Sequence, residues 1–108
     1  MTTTDNPGTG VDEELSAAVV TYFSRGRSSF PKHDPEAVVA LAAAWPADAL
    51  LAAVRALEAE VNAVPIDWST TDLAGAWHQT SAVMAERHPE LTPHAVETLS
   101  WAFTYAWR

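Results

Sequence analysis

The sequence holds no cysteine, which removes disulfides, thiolate zinc sites, iron–sulfur clusters and cysteine nucleophiles together. Basic residues are scarce: six Lys+Arg stand against fourteen Asp+Glu, a formal charge of −8. That field repels phosphate backbones and anionic headgroups, so nucleic acid and membrane surfaces are poor partners and a basic protein surface is a better one. Long apolar runs are missing too. The alanine-rich stretch that comes nearest is broken at Pro46 and Asp48, short of the ~18 residues of a membrane span. The start, Met1-Thr2-Thr3-Thr4-Asp5, has neither the basic beginning nor the apolar centre of a signal peptide, which makes the cytoplasm the expected location. Strand-like alternation and internal repeats are absent as well.

What is present is helical. Of 108 residues, 48% are hydrophobic, enough for one core but not two. Residues 1–10 have no apolar period and read as a disordered tail, leaving 11–108 as a single helical domain. From Asp12 onward Val11, Leu15, Ala18, Val19 and Tyr22 share one face, with acids at the start where a helix favours negative charge. Ser24-Arg25-Gly26 stops that helix, and residues 24–33 form a polar connector.

Asp34-Pro35 then opens a second helix with the stripe Val38, Leu41, Ala42 and Trp45, which Pro46 ends. The third helix, about Ala47 to Val64, repeats Leu50, Val54, Leu57, Val61 and Val64 at the spacing of a bundle seam. Ser69, Thr70 or Thr71 is expected to cap a fourth helix reaching about His88, with Asp72 as a first-turn acid and Leu73, Ala76, Trp77, Thr80, Val83 and Met84 facing the core. Thr92-Pro93 begins the fifth, with Val96, Leu99, Phe103, Ala106 and Trp107 as its core stripe. The expected fold is all-α, a compact single-domain bundle of about five helices, with the last three forming the main core. The 21 alanines, five arginines and single lysine fit a GC-rich, bacterial type of coding bias.

Opposite the core stripe of the last helix, His94, Glu97, Trp101, Tyr105 and Arg108 gather on one side. Trp, Tyr and Arg are the residue types that most often anchor interfaces, so this side is the candidate protein-binding face. Two other outcomes stay open: a central helix buried all round, and a homodimer formed through the same stripe. The connector residues Arg25, Arg27 and Lys32 are candidate anion ligands, without the spacing of a phosphate-binding glycine loop. Trp45, Trp68 and Trp77 are candidates for an aromatic pocket between helices.

Chemistry has less to stand on. His33, His78, His88 and His94 lack the spacing that puts two metal ligands on one helix face, and the pair His94 and Glu97 is far short of a site. Ser100 has no elbow motif around it, and Asp67 and Asp72 are separated only by a turn. No catalytic residue, metal or cofactor is expected. A helix-turn-helix is excluded by the lack of positive charge on its would-be recognition helix. The leading expectation is a non-catalytic protein-binding module, of an inhibitor, immunity, antitoxin-like or small regulatory kind. The alternative is a small-molecule-binding domain with a Trp-lined pocket.

Overall fold

Five helices run through residues 10–107, which the computed structural model describes: α1 (Glu13–Tyr22), α2 (Pro35–Leu41), α3 (Ala47–Asn62), α4 (Leu73–Arg87) and α5 (Pro93–Ala106). The expected tail lies outside the described residues except for Gly10, and so does Arg108. A helix start leaves backbone N–H groups without partners. Here Asp12, Asp34, Asp72 and Thr92 each accept one, from Leu15, Ala37, Gly75 and Ala95 respectively.

Two boundaries differ from expectation. Asp72, not Ser69, Thr70 or Thr71, caps α4. The Asp67 carboxylate instead takes the Ser69 N–H and hydroxyl, and Thr70 bonds the Asp67 carbonyl, so these residues are committed to a turn. Helix α2 stops at Leu41 rather than at Trp45. The Glu14 carboxylate accepts the N–H groups of Ala43, Ala44 and Trp45 at 2.7, 2.9 and 3.1 Å, which withdraws three donors from any further helical turn. These bonds, led by that from Ala43, hold the Glu14 carboxyl below its ordinary range against the opposing effect of desolvation.

The seam of α3 is buried throughout, from Leu50 to Val64. The centre of the bundle, however, is α1 with α5 rather than the last three helices. Helix α1 packs on α2, α3 and α5, whereas α4 packs on α5 and on no other helix to a comparable extent. Seven side chains of α5 are buried, including Thr98, Ser100 and Thr104, and they cover about two-thirds of its circumference. Ala106 and Trp107, expected in its core stripe, are instead exposed, because the chain passes the end of the helices that cover α5. Trp107 stands beyond the last helical turn at 58% exposure, bordered by the rings of Trp68 and Phe103.

Buried hydroxyls hold α4 against α5. Ser100 Oγ lies 2.7 Å from Ser81 Oγ and 2.9 Å from Thr80 Oγ1, and Thr80 also bonds the Ala76 carbonyl. Thr98 and Thr104 donate to the carbonyls four residues earlier, so these polar groups on the buried faces are satisfied.

Candidate binding site

The connector between α1 and α2 is a closed loop laid across the outer side of α5. The N–H groups of Lys32 and Asp34 bond back to Phe23 and Tyr22, and Ser24 Oγ donates to the Lys32 carbonyl at 2.7 Å. Ser24 is held at φ 60° and Gly26 at φ 87°. Left-handed backbone is uncommon for serine, and here the side-chain bond to Lys32 fixes it. That geometry sends Arg25 away from its neighbours and toward α5.

Arg25 ends over two indoles. Its guanidinium carbon lies 4.9 Å from the ring centre of Trp101 on α5 and 5.6 Å from that of Trp77 on α4, and it makes one long bond, 3.4 Å, to the Glu97 carbonyl. The arginine–carboxylate pairs among the described residues use Arg27 and Arg87 and leave Arg25 to the rings. Beside the rings a cleft of about 390 Å³ opens between α4 and α5, lined by Leu73, Ala74, Trp77, His78, Trp101 and Thr104.

The side of α5 expected to bind a partner is therefore divided. His94 and Glu97 are exposed on its first two turns, and Trp101 and Tyr105 are half-buried. Trp101 packs partly on the core, and Tyr105 borders a second cleft with Phe23 and His33 of the connector and Glu58 of α3. Arg108 lies outside the described residues.

Of the connector cations, Arg27 and Lys32 border one cleft while Arg25 turns away from it. Arg27 donates to the Thr21 carbonyl and pairs with Asp34 at 3.5 Å, Lys32 is exposed near it, and Arg25 points to the tryptophans. The three candidate pocket tryptophans are apart. Trp45 donates its indole N–H to Asp12 at 2.9 Å, Trp68 stacks on Phe103, and Trp77 alone lines the α4–α5 cleft, with Trp101 as its partner. Sequence periodicity had placed Trp77 on the core face and Trp101 on the opposite face of its helix. Their meeting depends on how α4 and α5 cross, which no single-helix pattern contains.

His88 is bound differently from the other histidines. Its Nε2 lies 2.7 Å from Glu60 of α3 and its Nδ1 3.0 Å from Glu90 of the α4–α5 turn, while Glu60 also meets Arg87. A neutral imidazole carries a single N–H, so only the protonated ring satisfies both carboxylates. Burial pushes the ring's pKa down, but the bonds and charges of Glu60 and Glu90 outweigh it and raise it above the ordinary value. For Glu60, desolvation is likewise opposed and outweighed by His88 and Arg87, which lower its pKa.

The sign of the pH effect follows. The His88 contribution is complete below the unfolded value, about 6.5, and is lost as pH rises through the raised folded value. That of Glu60 is complete above the unfolded carboxyl value and is lost as pH falls through the lowered folded one. His88→Ala is expected to cost about 1 kcal/mol near pH 6 and less above pH 9, as read from urea midpoints across that range. A cost that grew with pH would contradict the assignment.

Among the described residues no three His, Asp or Glu side chains are grouped to hold a metal ion. Ser100 is fully buried and bonded to hydroxyls. Among the described residues no helix is long and apolar enough to cross a membrane. Comparison of the chain with models of protein families, with curated proteins and with solved structures finds no match.

Proposed function

We propose that this chain is a non-catalytic protein-binding module whose contact surface is the outer side of α5 together with the α4–α5 cleft. One observation carries the reading: Trp77 and Trp101, from two helices, line one surface cleft, and Arg25 from a third element lies over both rings. Trp and Arg dominate interface hot spots because they bury large area and keep a polar handle. Tyr105, Glu97 and His94 extend the same side of the helix, and the charge of −8 favours a basic partner. An inhibitor, an immunity-type protein or a small regulatory subunit fits this description.

The test is affinity isolation with the immobilised chain from lysate of its source organism, run beside Glu97→Lys and Trp101→Phe variants. Glu97 is exposed, so reversing its charge is expected to leave the melting temperature unchanged while weakening capture of a basic partner by about 10-fold. Recovery of the same proteins in equal amount by every bait would contradict the reading. Trp101→Phe keeps a ring under Arg25, which separates lost binding from lost folding.

The cleft itself favours a second reading. Its volume, about 390 Å³, lies within the range of small-molecule sites. A small apolar ligand would then raise the melting temperature in proportion to the logarithm of its concentration and shift the tryptophan emission, with no protein partner needed.

A further inference from the structure

We propose that the Trp77–Trp101 pair is an acceptor for a cationic side chain of the partner, filled in the free protein by the chain's own Arg25, which an arginine or lysine of the partner displaces. The inference rests on the protein-binding reading above and supplies the chemistry of its central contact. Indole faces carry negative charge density and attract a cation set over them. Arg25 occupies that position over both rings. Its presence identifies the class of group that the site takes.

Arg25 is also held loosely enough to leave. Apart from the rings, its side chain makes one 3.4 Å bond to a carbonyl, and no carboxylate among the described residues pairs with it. An incoming guanidinium would replace the contact like for like, with the Glu97 carbonyl that now accepts from Arg25 open to it. The loop fixes the backbone of Arg25 and leaves its side chain free to swing. Its own N–H bonds the Val20 carbonyl at 3.1 Å, and the left-handed Ser24 and Gly26 flank it. The overall charge of −8 draws basic partners toward the surface, and Arg25 then competes with them for the rings. Arg25 is in this account a self-competitor that raises the affinity threshold a partner must pass.

Competition of this kind has a definite signature. If Arg25 fills the site about nine-tenths of the time, removing it strengthens binding of an external cation about tenfold. The probe is N-acetyl-L-arginine methylamide, titrated against the full chain while the indole N–H signals are followed by NMR. Its citrulline analogue, which has the same shape without the charge, serves as the control. Arg25→Ala and Arg25→Gln are both expected to bind the arginine probe about tenfold more tightly than the wild type, with shifts at the Trp77 and Trp101 indoles. Adding Trp77→Ala to Arg25→Gln is expected to abolish them.

Equal or weaker binding by both Arg25 variants, when their melting curves remain cooperative, would overturn the proposal. So would equal binding of the citrulline analogue, or shifts confined to Trp68 and Trp107. The two readings separate cleanly. A partner lost in the Trp101 variant with no response to the arginine probe overturns the cation site alone, whereas arginine uptake by the Arg25 variants with no partner recovered supports the site and counts against the binding module.

Discussion

Phe103→Ala is expected to lower the free energy of unfolding by about 3–5 kcal/mol, among the largest losses from a single truncation in this fold. Phe103 is 2% exposed on the central helix. Its ring centre lies 6.5 Å from that of Trp68 and 6.3 Å from that of Trp107, so it anchors the α3–α4 connector as well as the core. Small domains hold only about 5–15 kcal/mol in total. The substitution should therefore leave the chain near its folding threshold, as read from urea unfolding followed by far-ultraviolet circular dichroism. A loss under about 1 kcal/mol would mean that α5 does not organise the bundle.

Trp101→Ala is expected to reduce affinity for the partner by about 100-fold, the scale of an interface hot spot. It also has a cost in the free protein. Trp101 packs partly against the core and carries Arg25, so its removal should lower stability by about 2 kcal/mol. The two effects are distinguished by measuring affinity well below the melting temperature. Arg25→Ala provides the opposite sign, tighter binding of a cation at a stability cost of about 1 kcal/mol or less. Equal affinity of the wild type and Trp101→Ala for the recovered partner would remove this surface from the account.

Much of this architecture is written in local patterns. The α3 seam, the Asp34-Pro35 and Thr92-Pro93 helix starts and the end of α1 just before Ser24-Arg25-Gly26 all appear as the residues imply, because capping and 3.6-residue periodicity act over a few positions. The misread features depend on contacts distant in sequence. Leu41 ends α2 because Glu14, about thirty positions earlier, captures the next donors. His88 gains its role from Glu60, 28 residues away. Thr80 lies on the expected core face of α4, but its bond to Ser100, 20 positions on, exists only once α4 and α5 close over the two hydroxyls.

The site was partly legible for the same reason. Trp101, Tyr105, Glu97 and His94 share a side of α5 as the helical wheel requires, but the wheel does not contain the connector that crosses it. Proximity in the chain groups Arg25 with Arg27 and Lys32. In the fold Arg27 is taken up by Asp34, while Arg25 reaches Trp101, 76 positions on in the sequence. A signal was present in retrospect: an acidic chain that concentrates half of its cations in one connector needs something for them to face.

The central claim is that partners are held at the α4–α5 cleft against Trp77 and Trp101, and hydroxyl-radical footprinting of the recovered complex against the free chain tests it most directly. The account predicts that Trp77, Trp101 and Tyr105 lose reactivity on complex formation while Trp68 and Trp107 keep theirs. Protection confined to Trp68 and Trp107, the more exposed aromatic pair at the far end of α5, would contradict it and move the interface to that end of the helix.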